Sequence, residues 1–203
     1  MKRLIIAAAL FAAAPAFAQT VDVRAGRLID PARATVLIDQ RVRIAGGRIV
    51  SVTPWSAAAN DRAVVDWSEF TVLPGLIDLH THVADGFGQA SDPAEPLKRS
   101  EAETILKGAE AARTMLRAGF TTVRDVGAYR GLTDVALRDA IALGRVEGPR
   151  MFVAGAYITI PGGGGSVTGL KRGDPPPAAF RVGEVRDADE AVSLVPSPRR
   201  AAA

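Results

Sequence analysis

The chain has only two histidines, and they stand one residue apart, as His80 and His82. They end a mostly apolar run, residues 76–79, that predicts a short β-strand. Side chains at positions i and i+2 of a strand point to the same side, so both imidazoles should face one point. Neutral imidazole is a ligand for zinc, iron, nickel and copper. The spacing therefore predicts that the pair binds one metal ion, although an H-x-H sequence without context would indicate two unrelated polar residues.

The composition excludes several other chemistries. The chain of 203 residues has no cysteine, which excludes disulfides, thiolate zinc sites and a cysteine nucleophile. Its net charge is +3 and its basic residues are scattered, so nucleic acid is not an expected partner. Hydrophobic residues make up 48% and charged residues 23%, as in ordinary globular proteins. The length is that of one domain, or of one domain and part of another.

Residues 1–18 have the pattern of a signal peptide. Lys2 and Arg3 give a positive start, an apolar run follows that is too short to span a bilayer, and an A-x-A sequence ends at Ala18. We expect cleavage before Gln19, a periplasmic or secreted protein, and no membrane association after cleavage. The alternative interpretation is an uncleaved membrane anchor.

Residues 19–73 are expected to form a small, partial β-sandwich domain. Polar and apolar residues alternate in several short runs, which is typical of strands with one buried face. Two such runs, 41–44 and 48–52, are separated by Gly46 and Gly47. Because glycine adopts a positive φ without steric cost, this pair predicts a hairpin with a primed turn.

From residue 74 onward the sequence alternates between strand and helix patterns. Strands are predicted at 76–80 and 120–126, with a third strand region at 151–154 and 157–160, and helices at 100–118, about 134–143 and from 187 onward. Ser100 and Glu103 form a capping-box pattern, Thr133 is the expected cap of the second helix, and Gly119 and Gly144 are expected to end the first two helices. The first helix has apolar residues at helical spacing: Ala102, Ile105, Ala109, Ala112 and Leu116.

This alternation is typical of parallel βα units, in either a doubly wound sheet or a (β/α)8 barrel. The dinucleotide-binding fingerprint is absent, and in the glycine-rich segment 161–177 Leu170 stands where a P-loop has lysine. That segment follows the third predicted strand, where βα loops line active sites. A plain surface loop explains its composition equally well.

The sequence around the histidines closely resembles a known signature. Residues 71–82, T-V-L-P-G-L-I-D-L-H-T-H, are similar to the segment that leads into the first barrel strand of the metal-dependent amidohydrolase superfamily. Residues 118–125, A-G-F-T-T-V-R-D, resemble its second strand, and residues 148–150, G-P-R, precede the third as in members similar to imidazolonepropionase and Xaa-Pro dipeptidase. The resemblance extends over residues 21–191. It implies an α/β fold: the N-terminal part of a TIM-like (β/α)8 barrel, with its first three βα units at 74–192, after a small β-sandwich.

The resemblance also implies a function and roles for particular residues. In such enzymes His80 and His82 bind one ion of a mono- or binuclear centre, Zn²⁺ or another divalent transition metal, and the ion activates water and polarises the scissile carbonyl. Asp78 positions the strand end and its ligands, and Arg124 forms a structural ion pair with Asp125. The expected activity is hydrolysis of C–N bonds in amides, cyclic amides or small peptides. The expected partner is a small-molecule or dipeptide substrate, and the sequence leaves the oligomeric state open.

The family's other metal ligands are not found in this sequence. The resemblance implies a carboxylated lysine, two further histidines and an aspartate on later strands. A whole barrel takes ~250 residues, and this chain has 203 residues in all. Residues 193–203, which contain two prolines, read as an aberrant tail. We therefore expect an incomplete site, inactive alone, with weak metal binding. A non-catalytic fragment, an exported metal-binding remnant and an exported binding module based on the β-domain are the alternatives.

Expression in a bacterial host with an export pathway tests the signal-peptide interpretation. Mass spectrometry of the exported protein should show an N-terminus at Gln19, because signal peptidase cleaves after the A-x-A sequence that ends at Ala18. A mature fraction that keeps Met1 would contradict it.

Overall fold

The computed structural model describes residues 20–57, 64–85, 92, 94–171 and 173–195. The expected signal peptide and most of the expected tail lie outside the described residues. The chain divides into two compact units between Pro74 and Gly75. No helix in the described part of the chain is long and apolar enough to cross a membrane.

The N-terminal unit is one four-stranded sheet with the strand order β3-β2-β1-β4. Its strands are β1 (Thr20–Asp30), β2 (Thr35–Ala45), β3 (Arg48–Pro54) and β4 (Val64–Val72). The expected hairpin is confirmed: β2 and β3 are antiparallel, and Gly46 and Gly47 have φ values of 57° and 72°. Residues 20–57 and 64–74 contain a single sheet, so the described chain shows one layer of the expected sandwich.

Ion pairs across the strands hold this sheet together on its polar face. Asp22 of β1 accepts from Arg41 at 3.1 Å and from Arg43 at 2.8 Å, both on β2. These two guanidinium groups lower the pKa of Asp22. β1 also pairs in parallel with β4, so the sheet is mixed.

The C-terminal unit is a parallel sheet with helices between its strands. The strands β5 (Leu76–Thr81), β6 (Phe120–Asp125) and β7 (Arg150–Val153) lie in the order β5-β6-β7. The helices are α1 (Glu95–Lys98), α2 (Glu101–Arg117), α3 (Thr133–Ala142) and α4 (Ala188–Leu194), with a 3₁₀ turn at Ala178–Phe180. This is the expected succession of βα units. The third strand is shorter than predicted, since residues 157–160 lie in a loop.

Helix α2 packs through its small residues. Its capping box is present as predicted: the Ser100 hydroxyl accepts from the Glu103 N–H, and the Glu103 carboxylate accepts from the Ser100 N–H. The buried line, however, is Thr104, Gly108 and Ala112, whereas Ala102, expected on the apolar face, is exposed. A Cβ added at Gly108 would lie 3.1 Å from a Leu137 methyl group, so close approach to α3 selects glycine there.

The ends of the other helices confirm some predictions and correct one. Thr133 is not the cap of α3 but its first residue, and Leu132 precedes it with a φ of 69°. The Thr133 hydroxyl donates to the Arg130 carbonyl instead, so it does not accept from a backbone N–H of the first turn as a cap would. Helix α4 begins as predicted: a carboxylate oxygen of Asp187 accepts from the Glu190 N–H at 2.8 Å.

Gly144 provides a test of the helix ends, because its φ is +68° and a Cβ there would meet nothing within 4 Å. The substitution Gly144→Val should lower the free energy of unfolding by about 1–2 kcal/mol, which is the cost of the left-handed conformation for a residue with a Cβ. Chemical denaturation measures this loss.

Gly164→Val is the matched control, because Gly164 also has open space around it but does not have a left-handed φ. Equal stability losses in the two variants would show that backbone conformation is not the cause. Gly144→Asn should cost less than Gly144→Val, because asparagine tolerates the left-handed region.

Candidate functional site

His80 and His82 come together at the carboxyl end of β5. His80 is on the strand and exposed, and His82 follows the strand and is half-buried. Their ring centroids are 5.5 Å apart, with the rings at 71° to each other. The two imidazoles therefore lie close enough to face a common ligand, and their binding of a metal ion stays a prediction.

Asp78 orders the backbone in front of the histidines. One of its carboxylate oxygens accepts from the His80 N–H at 3.0 Å. The pairing of β5 with β6 shifts register between Asp78 and Thr81, just before His82. The contact agrees with the predicted role of Asp78 in positioning the strand end.

Two groups surround Nδ1 of His82. The carbonyl oxygen of Gly127 lies 3.3 Å from this nitrogen, and the hydroxyl oxygen of Tyr157 lies 2.6 Å from it. Gly127 follows β6, and Tyr157 follows β7. The loops after three successive strands thus meet at one imidazole.

Asp85 continues this group of contacts. It is 5% exposed and accepts from the Tyr129 N–H at 3.0 Å and from the Tyr157 hydroxyl at 3.4 Å. Burial, aided by the charges of Asp125 and Asp134, raises the pKa of Asp85 to about 7. Burial likewise raises the pKa of Tyr157, so its hydroxyl keeps its proton.

Asp125 at the end of β6 is fully buried and serves the backbone. Its two carboxylate oxygens accept from the Ala84 N–H at 3.1 Å and from the Gly127 N–H at 3.3 Å. The expected ion pair with Arg124 is wrong: neighbouring strand residues point to opposite faces, and the Arg124 side chain is exposed. Burial raises the pKa of Asp125.

Asp134 plays the same part for the third loop. It is fully buried at the start of α3, and one oxygen accepts from the Gly155 N–H at 2.7 Å. Burial raises the pKa of this carboxyl as well. Three buried carboxylates, Asp85, Asp125 and Asp134, therefore hold the loops that carry His82 and Tyr157.

The glycine-rich loop packs against Tyr157. A Cβ at Gly165, in this loop, would lie 2.5 Å from the Tyr157 Cβ. A Cβ at Gly183, beyond the loop, would lie 1.9 Å from the Tyr157 carbonyl oxygen. Lys171, in the same loop, is exposed. Of the two interpretations open from the sequence, this packing favours a loop that shapes the site.

His80 and His82 can supply two ligands of a metal centre. His82 turns Nδ1 toward a backbone carbonyl, as metal-ligating histidines do when they bind through Nε2. His80 supplies a second imidazole beside it. The described residues contain no group of three or more His, Cys, Asp or Glu side chains arranged to hold a metal ion. A protein zinc site has three or four protein ligands, so the pair is incomplete on its own.

Sequence reasoning does not single out Tyr157, Asp85 or Asp134. A signal was available, because the carboxyl ends of parallel strands meet at one edge of a sheet. Polar residues close behind each strand are therefore candidates, and Asp85 and Tyr157 meet that condition. The role of Asp134 depends on the path of the loop and carries no such signal.

Comparisons with known proteins find similar sequences and similar structures. Residues 71–196 match the Amidohydrolase family. A solved Xaa-Pro dipeptidase with bound methionine in its active site superposes with a TM-score of 0.73 at 31% identity, covering 86% of this chain and 44% of that one. A dihydroorotase from Solibacter usitatus is 35% identical over 104 residues, which is 51% of this chain and 20% of the relative. An allantoinase from Arabidopsis thaliana is 36% identical over 94 residues, 44% of this chain and 16% of the relative.

The raised pKa of Asp85 makes stability depend on pH. A carboxyl whose pKa is higher in the folded than in the unfolded protein stabilises the fold at low pH, and this contribution is lost as the pH rises through the folded value. The free energy of unfolding should therefore fall as the pH rises from the ordinary aspartate pKa of 3.8 to about 7. The shift corresponds to at most about 4 kcal/mol.

Asp85→Asn should make this fall smaller, because the amide stays neutral at every pH and still accepts from the Tyr129 N–H. Urea denaturation at a series of pH values measures the slope. Asp30→Asn is the control, because Asp30 lies outside the site and Arg33 lowers the pKa of its carboxyl instead of raising it. An Asp85→Asn slope equal to that of the unsubstituted chain would refute the assignment.

Proposed function

The chain belongs to the amidohydrolase family, and we propose that it carries the first histidine pair of a metal-dependent hydrolase of C–N bonds. The observation that supports this most is the meeting of His80 and His82 at the carboxyl end of the first parallel strand. Catalytic groups of βα barrels lie at this end of the strands. We propose that the complete fold is a (β/α)8 barrel preceded by a small β-sandwich.

The proposed metal ligands are His80 and His82, with Zn²⁺ or another divalent transition metal as the ion. A metal held there supplies Lewis-acid activation of water and of the scissile carbonyl. Asp78 fixes the His80 backbone, and the Gly127 carbonyl faces the His82 ring. Further ligands would have to come from outside the described residues, because only two ligands meet within them.

The proposed substrates are amides, cyclic amides or small peptides. The solved relative is a Xaa-Pro dipeptidase, and the curated relatives are dihydroorotases and an allantoinase. The chain spans less than half of the solved relative and about a fifth of the curated ones, so the activity of the whole protein remains a proposal. We propose a periplasmic or secreted location because of the leader-like residues 1–18.

Zinc titration tests the histidine pair. The chain should bind zinc weakly, since two ligands are fewer than the three or four of a protein zinc site. His80→Gln and His82→Gln should each abolish this binding, as measured by competition with a chromophoric chelator. Glu110→Gln, on the exposed face of α2, is the control and should change nothing. Zinc binding that survives loss of both histidines would refute the ligand assignment.

Hydrolysis assays with Xaa-Pro dipeptides and cyclic amides test the activity. This chain alone, with zinc, should be inactive, because its described residues bring only two ligands together. A longer protein that joins this chain to the remaining strands of a barrel should be active with zinc and should lose activity with His80→Gln or His82→Gln. Zinc binding without hydrolysis by that longer protein would favour the alternative, an exported metal-binding protein. Hydrolysis that persists without both histidines would contradict the proposal.

A further inference from the structure

Tyr157 lies where it can decide which nitrogen of His82 carries the proton. The Gly127 carbonyl oxygen, 3.3 Å from Nδ1, can only accept a hydrogen bond. The Tyr157 hydroxyl, 2.6 Å from the same nitrogen, has one proton to donate and can also accept. An ionised Asp85 carboxylate, 3.4 Å beyond, can only accept.

The proton count in this group favours one arrangement. If Nδ1 carries a proton, it donates toward Gly127 and Tyr157, and the Tyr157 hydroxyl donates to Asp85. If Nδ1 lacks a proton, the tyrosine must donate to it. Neither His82 nor Tyr157 then has a proton to donate to the Gly127 carbonyl or to Asp85. Only the first arrangement satisfies all three contacts, and it leaves the ring's lone pair on Nε2.

Three glycines fix the tyrosine in this place. A Cβ at Gly127 would lie 2.6 Å from the Tyr157 ring, one at Gly165 would lie 2.5 Å from its Cβ, and one at Gly183 would lie 1.9 Å from its carbonyl oxygen. The ring of Tyr129 packs edge-on against Tyr157, with centroids 5.0 Å apart. The close approach of backbone from three loop segments leaves the Tyr157 ring little room to shift.

We propose that Tyr157 is a positioning residue that holds His82 as the Nδ1–H tautomer, so that Nε2 is the nitrogen that binds the metal ion. The ligand role of His82 belongs to the proposed function, and this inference rests on it. The tyrosine acts through the histidine and is not itself a ligand. The proposal also assigns a role to the glycine-rich loop, which packs against Tyr157 and so sets the position of its hydroxyl.

Nitrogen NMR of the full chain tests the tautomer without any activity measurement. The chain has two histidines, so ¹⁵N-histidine labelling with His80→Gln assigns the His82 ring. In the metal-free chain, at a pH above the raised Asp85 pKa, the Nδ1 signal should be that of a protonated nitrogen. Tyr157→Phe removes the acceptor at 2.6 Å and leaves the Gly127 carbonyl at 3.3 Å, so the fraction of His82 protonated at Nδ1 should fall.

A second pair of variants moves the tyrosine and keeps its hydroxyl. Gly165→Ala places a methyl group against the Tyr157 Cβ, whereas Gly164→Ala places one in open space. The first should shift the His82 tautomer as Tyr157→Phe does, and the second should not. Tyr157→Phe should also weaken zinc binding about 10- to 100-fold, which is the usual effect of losing a group that orients a metal ligand.

The outcomes separate this inference from the proposed function. If Nδ1 of His82 stays protonated in Tyr157→Phe, the positioning role is wrong, even if zinc binding still depends on both histidines. If zinc binding is indifferent to both histidines, the metal role of His82 fails, and with it the purpose assigned to Tyr157, whatever the tautomer. A tautomer change together with weaker zinc binding supports both.

Discussion

The site depends on the hydrogen bonds that the buried carboxylate of Asp125 accepts from backbone N–H groups. A carboxylate removed from water must be hydrogen-bonded, and Asp125 meets this requirement with the N–H groups of Ala84 and Gly127. Ala84 lies two residues after His82, and Gly127 presents its carbonyl to the same imidazole. One side chain thus fixes the backbone on both sides of the histidine ring.

The buried acidic groups order the loops of the site, but removing a charged carboxylate from water costs free energy. Asp85 and Asp134 repeat the pattern of Asp125, each holding a loop by its backbone N–H. Each of these carboxyls has a raised pKa because it is removed from water. A surface loop would avoid that cost but would not hold an imidazole and a phenol in fixed contact, and perturbed pKa values cluster where proteins keep functional groups in place.

Close packing of small residues brings the elements near enough for these contacts. Gly108 of α2 lies against Ala84 as well as Leu137, since a Cβ there would be 3.2 Å from the Ala84 Cα. Helix α2 therefore packs directly against the segment that follows the histidines. The apolar pattern correctly placed Ala112 and Ala109 on the packed face, but it gave no sign of Thr104 and Gly108, which are buried beside them.

The sequence by itself determined the order of βα units, the primed hairpin, the capping box of α2, the glycine helix ends and the pairing of His80 with His82. These depend on local spacing and on backbone preferences that a few neighbouring residues express. Tertiary structure alone decided that Asp125 binds backbone rather than Arg124, and that Tyr157, 75 residues away, reaches His82. Such contacts depend on which loops meet at the carboxyl edge of a parallel sheet, and no short window of sequence contains that information.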